Sequence, residues 1–430
     1  MMRTFFYPLK ETWETLCRRP VTDTSGFDTA VKNILLKVRS KGDQALLDYA
    51  EKFDHVKITD LKVTERELAE SEKAITPDLR NAIITAMGNI RKFHESQMND
   101  DEVLETTPGV KCWRKRIPVE RAGLYIPGGT APLFSTVLML GVPAAIAGCR
   151  QVILCTPPGR DGKIDPLILF TAKLTGITDI YKTGGAQAIA AMAYGTESIP
   201  KVDKIFGPGN QYVTKAKEIV SSDGVAIDMP AGPSEVLVIA DSKADPVFVA
   251  ADLLSQAEHG TDSQVVLLTD SSDLMTSVME ELKIQLKTLP RRDIASQSLE
   301  ESVAIVLPGL DECMEFSNKY APEHLIINTG NAEKLAENVI NAGSVFIGKY
   351  SCESAGDYAS GTNHTLPTNG FARSYSGVST DSFLKKISFQ EISREGITRL
   401  GPVIELMAEA EGLAGHKNAV SVRLKERENV

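Results

Sequence analysis

Two consecutive runs of alternating strand and helix patterns constrain the fold of this chain more than any other feature. The first run covers residues 151–220 and the second covers residues 235–347. In both, short apolar segments of strand length alternate with longer segments of helical periodicity. Strands joined by helices pair in parallel and carry the helices on the faces of the sheet. The sequence therefore predicts an α/β fold of two tandem Rossmann-like modules with parallel sheets, plus helical N-terminal and C-terminal segments.

The segment 122–149 has no charged residue and is long enough to span a bilayer. It is interrupted by Pro127, Pro132 and Pro143 and by several glycines. In lipid, so many helix breakers would leave backbone groups without hydrogen bonds. We therefore predict a glycine-rich loop followed by a fully buried helix, and no membrane association.

The charge balance argues against nucleic acid as a partner. The 430 residues carry a formal net charge of -10, whereas nucleic-acid-binding proteins usually present a clustered positive surface. One basic run, residues 111–116, is predicted to form a solvated strand and turn, with an anion-binding patch as the alternative.

Two features predict a cytoplasmic protein. The first residues lack the basic start, apolar run and cleavage site of a secretion signal. The six cysteines lie far apart without a Cys-x-x-Cys pair. Such spacing is typical of reduced thiols and makes a disulfide scaffold or a thiolate zinc site unlikely on sequence grounds.

Glycine-rich junctions predict a nucleotide site in the first run of strands and helices. Neither module has the Gly-x-Gly-x-x-Gly fingerprint after its first strand. Instead, glycine pairs occur at 127–132, 184–187 and 207–211. Each alone is typical of a plain turn, but helix N-termini with exposed N–H groups also bind anions. Three such junctions favour a nucleotide crevice at the carboxyl ends of the strands, beside Tyr125, Gln187 and Asn210.

Histidines grouped with carboxylates predict a metal site. Gln256 and His259 are three residues apart at the end of a predicted helix, so both project on one face. Asp357 follows the last predicted strand, and His416 lies in the C-terminal segment. Two nitrogens and two oxygens of this kind hold zinc or a similar divalent ion. A helix-end histidine is equally often a cap or a core residue, and that alternative stays open for His259.

Glu323 and His324 are adjacent, so their side chains leave the backbone in different directions and suit two separate proton-transfer roles. The alternative is a surface glutamate beside a histidine that interacts with a helix dipole. His364 is predicted to be structural, because the hydroxyl and amide groups around it can satisfy its ring nitrogens. His55 and His94 lie in a charged helical region and are also read as structural.

These patterns divide the chain into four predicted parts. Residues 1–23 form an N-terminal helical segment, and residues 381–430 form a C-terminal helical segment. Residues 24–122 and 235–380 combine into a first Rossmann-like domain with covering helices, which holds the metal and the substrate. Residues 123–234 form the second Rossmann-like domain, which binds the cofactor.

Taken together, the motifs resemble those of the histidinol dehydrogenase family. The resemblance covers nearly the whole chain in the expected order, and blocks of this length are highly specific. The blocks that carry it are residues 123–132, 184–191, 206–210, 228–235, 255–260, 321–324, 343–348 and 353–367.

The resemblance implies a two-step oxidation of L-histidinol to L-histidinal and then to L-histidine, the last step of histidine biosynthesis, with two NAD and one zinc ion per site. It implies an intertwined homodimer in which the C-terminal segment completes the partner's site. The implied residues are an acid-base pair, Glu323 and His324; zinc ligands Gln256, His259, Asp357 and His416; NAD contacts Tyr125, Gln187 and Asn210; and further substrate contacts at Ser234 and Glu411. The zinc ligands and the acid-base pair also contact the substrate.

Three other readings compete with this one. Metal-dependent hydrolysis would use the zinc to activate water and Glu323 as the base, and it would not reduce NAD. A thiohemiacetal mechanism would need a reactive thiolate, but the candidate cysteines have no nearby base in sequence. A metal- or nucleotide-binding module would bind tightly without turnover.

Overall fold

The computed structural model describes residues 1–20, 27–98, 102–128, 132–230 and 232–425. The strands are β1 (Arg3–Phe6), β2 (Leu104–Thr107), β3 (Val110–Pro118), β4 (Arg121–Tyr125), β5 (Gln151–Thr156), β6 (Asp179–Lys182), β7 (Lys204–Phe206), β8 (Ala226–Ile227), β9 (Glu235–Ala240), β10 (Gln264–Thr269), β11 (Val303–Val306), β12 (His324–Asn328), β13 (Ser344–Ile347) and β14 (Leu384–Ile392).

The helices alternate with these strands over most of the chain. They are α1 (Trp13–Leu16), α2 (Phe27–Tyr49), α3 (Glu65–Ser71), α4 (Pro77–Glu95), α5 (Phe134–Ala147), α6 (Pro166–Leu174), α7 (Gly185–Tyr194), α8 (Gln211–Ser222), α9 (Pro246–Ala257), α10 (Ser272–Leu286), α11 (Arg292–Glu300), α12 (Leu310–Tyr320), α13 (Ala332–Ala336), α14 (Glu353–Tyr358), α15 (Arg394–Ala410) and α16 (Ala414–Leu424).

The two parallel sheets confirm the predicted α/β class. Sheet A has the strand order β1-β11-β10-β9-β12-β13, and sheet B has the order β6-β5-β4-β7-β8. All neighbouring strands within each of these two sheets pair in parallel. The central strands β9, β10 and β12 are buried along their whole length. Burial on both faces explains why they read as continuous apolar runs rather than as alternating patterns.

Sheet C is antiparallel, and the sequence patterns did not predict it. Its order is β14-β3-β2, and β14 pairs with β3 from Leu384 opposite Pro118 to Ile392 opposite Val110. The basic run at 111–116 therefore lies in a strand, as predicted. The prediction of an entirely helical segment at 381–430 is wrong for β14, because pairing with a distant strand stabilises a conformation that local sequence does not specify.

The N-terminal part also departs from the prediction. Residues 3–6 form β1, an edge strand of sheet A that pairs with β11. In the described residues 1–20 of the expected helical segment, the helical part is a 3-10 turn at Lys10–Thr12 followed by the short helix α1. The helices expected to cover sheet A instead cover the other module. Val31 and Leu35 of α2 share a core with Tyr125 and Ile153 of sheet B. Strand β4 begins at Arg121, ahead of the expected start of this module at residue 123.

Helix α5 follows the glycine-rich loop, as predicted for the uncharged segment. Its residues from Ser135 to Ala144 are buried, while loop residues 129–131 lie outside the described part of the chain. Within the described ranges, no helix is both long enough and apolar enough to cross a membrane.

The Phe383→Ala substitution is expected to destabilise the protein. Phe383 is fully buried and its ring stacks on Phe206 at a centroid distance of 3.9 Å, which joins the start of β14 to sheet B. Truncation leaves a cavity, and losses of about 3–5 kcal/mol are typical for such sites. Chemical denaturation measures the loss. Phe93→Ala is the control, since Phe93 is 44% exposed; equal loss in both variants would contradict the proposed packing role.

Candidate active site

Two adjoining cavities lie at and beside the cleft between the modules. The larger, about 1250 Å³, is lined from the sheet B module, by Tyr125, Gln187 and Asn210 among others. The smaller, about 750 Å³, is lined from both modules. Pro127 and Asn210 border both cavities, so the two adjoin. The smaller one is also lined by six residues predicted to hold metal, bind substrate or transfer protons: Ser234, Gln256, His259, Glu323, His324 and Asp357.

The two parallel sheets present opposite edges to this cleft. Tyr125 is the last residue of β4, and Asn210 follows the end of β7, so sheet B contributes its carboxyl edge. Glu235 and His324 are the first residues of β9 and β12, so sheet A contributes its amino edge. The predicted cofactor residues therefore lie where parallel sheets usually bind nucleotides, at the point where the strand order reverses.

Polar groups, some buried and some exposed, form the wall of the larger cavity. The Tyr125 hydroxyl accepts a hydrogen bond from the N–H of Gly185 at 3.0 Å, at the N-terminus of α7. Burial raises the pKa of Tyr125 to about 12, so its hydroxyl keeps its proton and remains a donor. The side-chain oxygen of Asn210 caps α8 by accepting hydrogen bonds from the N–H groups of Tyr212 and Val213. The two helix N-termini border a cavity suited to anionic groups.

A buried ion pair fixes the loop that carries Asn210. Asp228 accepts a hydrogen bond from the Gly207 N–H at 2.8 Å, while Lys217 donates to the Gly207 carbonyl at 2.9 Å and pairs with Asp228. Gly207 has φ 122°, and a Cβ there would lie 2.1 Å from the carbonyl oxygen of Tyr125. Only glycine permits this approach between the loop and β4.

One peptide unit orients the predicted acid-base pair. Glu323 and His324 are only 6% and 3% exposed. The Glu235 N–H donates to Glu323 Oε2 at 2.8 Å, and the Glu235 carbonyl lies 3.1 Å from His324 Nδ1. Because a carbonyl can only accept, this contact places the proton on Nδ1. The Nε2 atom is left without a hydrogen-bond partner among the described residues.

Burial raises one pKa of the pair, and neighbouring charges raise the other. Burial raises the pKa of Glu323, although His324 opposes the shift. Burial alone would lower the pKa of His324, but the carboxylates of Glu323 and Glu353 outweigh it and hold that pKa well above 6.5. Two ionisable groups with strongly perturbed pKa values in a cleft are typical of an active site.

A cluster of potential cation ligands lies beside the pair. Ligand atoms of His259, Glu353 and Asp357 all lie within 4.8 Å of one another. Asp357 Oδ1 and His324 Nε2 are both buried without a hydrogen-bond partner among the described residues, and they lie 3.6 Å apart. Two carboxylates and the imidazole of His259, with one carboxylate oxygen unpartnered, fit a divalent cation.

Glu353 was missed by sequence reasoning. It is 1% exposed, and burial together with repulsion from Asp357 and Glu323 raises its pKa to about 8, although His324 opposes the shift. In the orientation that satisfies both neighbours, the Gln256 carboxamide donates to Glu353 and accepts from the Glu235 N–H at 2.9 Å. The sequence feature that could have identified Glu353 is its four-residue spacing from Asp357. The two residues lie on one face of α14 rather than in the predicted loop.

Two predicted site residues lie elsewhere in the chain. Glu411 and His416 are exposed, at the end of α15 and in α16, and neither borders the two cavities. His259 follows the end of α9 at Ala257, slightly beyond its predicted place in the helix.

The remaining histidines include two with satisfied ring nitrogens. His364 lines the smaller cavity, and its ring contacts the Thr136 hydroxyl at 3.1 Å and the Asp357 carbonyl at 2.9 Å. The ring nitrogens are satisfied, but by a hydroxyl distant in sequence and a backbone carbonyl rather than by the hydroxyl and amide groups expected beside His364. His94 is fully buried and contacts the Ile90 carbonyl at 2.8 Å, whereas His55 is exposed.

Two Rossmann-like modules around a cleft with a buried glutamate–histidine pair and potential cation ligands are typical of an enzyme that brings a nucleotide and a small molecule together. The sequence pattern of histidinol dehydrogenases matches residues 17–424. Histidinol dehydrogenase from Bacteroides thetaiotaomicron is 59% identical over 424 residues, covering 99% of both chains. The Escherichia coli K12 protein of that name is 52% identical, covering 96% of this chain and 94% of its own.

A solved structure agrees with these sequence comparisons. The crystal structure of histidinol dehydrogenase from Elizabethkingia anophelis superimposes with a TM-score of 0.97 at 56% identity, covering 99% of this chain and 98% of that one. The chain belongs to the histidinol dehydrogenase family, the oxidoreductases that catalyse the final step of histidine biosynthesis.

The Lys217→Met substitution is expected to destabilise the protein by about 3–5 kcal/mol, because it leaves Asp228 as an unpaired buried charge. The side chains of Lys217 and Asp228 are only 5% and 1% exposed. The double variant Lys217→Met/Asp228→Asn should recover part of the loss, since it removes that charge. Urea unfolding compares the two. If the single variant is as stable as the double one, the Asp228 carboxylate is not a destabilising buried charge in the absence of Lys217.

Proposed function

We propose that this protein oxidises L-histidinol through L-histidinal to L-histidine and reduces two NAD per substrate. The observation that carries the proposal is the buried pair Glu323 and His324, which lines a cavity that adjoins one lined by Tyr125, Gln187 and Asn210. This arrangement supports a proton acceptor on one side of the substrate and a nucleotide site on the other. We assign NAD contacts to those three residues and substrate contact to Ser234.

The first step is an alcohol oxidation. The substrate carbon transfers a hydride to NAD while its hydroxyl loses a proton. The neutral form of His324 accepts this proton at Nε2, because Nδ1 of that form carries the proton bonded to the Glu235 carbonyl. The surrounding carboxylates, which raise the pKa of His324, stabilise the imidazolium that results. The side chain of His324 is nearly buried, so proton transfer takes place away from bulk water.

The second step requires water to add to the aldehyde before another hydride can leave. Glu323 is the base for this addition in our proposal. It takes a proton from the attacking water, and the resulting hydrate then loses a hydride to a second NAD. Burial disfavours the charged form of Glu323, which makes its carboxylate a stronger base than one in water.

We propose that zinc occupies the cluster beside this pair, held by Gln256, His259 and Asp357 and by His416 of the partner subunit. The orphaned Asp357 oxygen and the spacing of the ligand atoms support a cation here. When bound, zinc supplies a fixed positive centre that orients the substrate through its imidazole and amine. Around it, Glu353 holds the Gln256 carboxamide in place.

We further propose an intertwined homodimer with shared sites. Glu411 and His416 lie on helices whose surface exposes Leu406, Met407 and Leu413 at 68%, 62% and 42%. Apolar side chains exposed together on neighbouring turns are typical of a surface that another protein covers. A second copy of the chain would cover it and bring both polar residues to the partner's cavity, where they contact the substrate.

The cytoplasm is the compartment that we propose. All six cysteines are free thiols, as is usual in a reducing environment. The substrate and the cofactor of this proposal are both small soluble molecules, which suits an enzyme of the cytoplasm.

The decisive experiment counts NADH formed per L-histidinol consumed with zinc present. Two NADH per substrate are expected, and none would refute the proposed reaction. His324→Asn should lower turnover by roughly two to four orders of magnitude while zinc stays bound. His55→Asn is the matched control, because His55 is exposed with φ 55° and asparagine tolerates this conformation.

Mixing two inactive variants tests the shared sites. After subunit exchange between His416→Ala and Glu323→Gln chains, about a quarter of the sites should be intact, because each mixed dimer has one site with both native residues. Glu323→Gln mixed with His324→Asn should recover nothing, since both residues belong to the same chain's side of the site. No recovery in the first mixture would argue for sites built within one chain.

A further inference from the structure

We propose that Arg19 is a positioning residue for the acid-base pair and that it acts through Glu235. The inference rests on the proposed roles of Glu323 and His324 and adds a residue that holds both side chains in place. Arg19 comes from the N-terminal segment, which none of the sequence motifs includes. Its guanidinium joins the start of β9 to the turn before β12.

Arg19 and Glu235 form a bidentate ion pair. Arg19 Nε donates to Glu235 Oε1 at 2.9 Å, and one terminal nitrogen donates to Oε2 at 3.0 Å. The Asn369 N–H also donates to Oε1 at 2.9 Å. The two side chains are 13% and 2% exposed. Such a fork fixes the direction of both partners, which a single ammonium contact does not.

Arg19 also holds the turn that leads into the catalytic strand. The terminal nitrogen that contacts Glu235 donates to the Tyr320 carbonyl at 2.7 Å, and the guanidinium lies 3.7 Å above the Tyr320 ring. Ala321 follows in a left-handed conformation with φ 56°, which is uncommon for a residue with a side chain. Two residues later the chain reaches Glu323 and His324.

Glu235 transmits this position to both catalytic groups. Its N–H bonds Glu323 and its carbonyl bonds His324, as described above. A shift of the Glu235 backbone therefore moves the carboxylate and the imidazole together. It also changes the contact that keeps the proton on His324 Nδ1.

The contacts of Arg19 indicate positioning rather than substrate binding. All three of its nitrogens already donate within the protein, to Glu235, Tyr320 and Cys17 among others. Arg19 borders the smaller cavity but is nearly saturated there. Burying an ion pair of this kind contributes little net stability compared with apolar packing, so its geometry is the more informative property.

The first test is Arg19→Lys, which keeps the charge and removes the fork. We expect kcat for L-histidinol oxidation to fall about 10- to 100-fold, because small displacements of catalytic groups have effects of that size. KM for L-histidinol, the zinc content and the melting temperature should stay close to those of the unsubstituted protein. An unchanged kcat would overturn the proposal, as would equal losses of kcat, zinc and melting temperature, which would mean a general structural role.

Arg121→Lys is the matched control. Arg121 holds Asp203 by the same kind of fork, at 2.7 and 3.2 Å, at the amino end of β4 and away from the cleft. We expect its kcat to be unchanged. A fall equal to that of Arg19→Lys would mean that kcat responds to the loss of any such fork, and the positioning role of Arg19 would be rejected.

A double-substitution cycle separates this proposal from the proposed function. If Arg19 acts through the catalytic pair, Arg19→Lys should cause a smaller loss of kcat in His324→Asn protein than in the unsubstituted protein, because only the effect on Glu323 remains. Additive losses would overturn the relay through Glu235. If His324→Asn alone is fully active, the assignment of the base fails, whatever the effect at Arg19.

Glu235→Gln gives a second route to the same relay. It keeps the side-chain length and an acceptor for the Asn369 N–H but removes the negative charge that pairs with Arg19. Its kcat should fall by a factor similar to that of Arg19→Lys, with KM retained, and the combination of the two substitutions should be no worse than either alone. Independent, additive effects would show that the two residues do not act as a unit.

Discussion

The opposite polarity of the two parallel sheets at the cleft is the constraint on which the rest of the site depends. Sheet B offers carboxyl ends, where loops run into helix N-termini and expose backbone N–H groups. Sheet A offers amino ends, where Glu235 and His324 begin their strands. The side of the cleft formed by sheet B is therefore suited to binding phosphate groups. The side formed by sheet A carries the side chains that are suited to proton transfer.

This polarity also explains why one half of the site was easier to predict. The rule that parallel sheets bind ligands at their carboxyl ends predicted a crevice beside Tyr125 and Asn210, and a cavity lies there. The same rule does not lead to the amino edge of sheet A. Gln256 reaches that edge because α9 runs antiparallel to β9 and ends where the strand began. Its spacing from His259 predicted a shared site without locating it.

The features that sequence patterns did not predict depend on partners far along the chain. Strand β14 becomes recognisable only beside β3, and β1 only beside β11. Arg19 meets Glu235 across 216 residues, so no local pattern marks it. Glu353 was hidden because a short helix was read as a loop. Core burial and strand alternation are local signals, whereas edge strands and polar contacts between segments are set by tertiary structure.

The position of β1 has a consequence for biosynthesis of the chain. The strands of sheet B lie between residues 121 and 227, so that sheet can form while translation continues. Sheet A reaches its full width only after β13, residues 344–347, emerges from the ribosome, and β1, made first, has to await β11. Arg19 is made soon after β1 but meets the Tyr320 carbonyl much later, so the proposed catalytic pair is positioned late in synthesis. A nascent chain stalled before residue 303 would present the strands of sheet B beside a β1 that still lacks its partner strand.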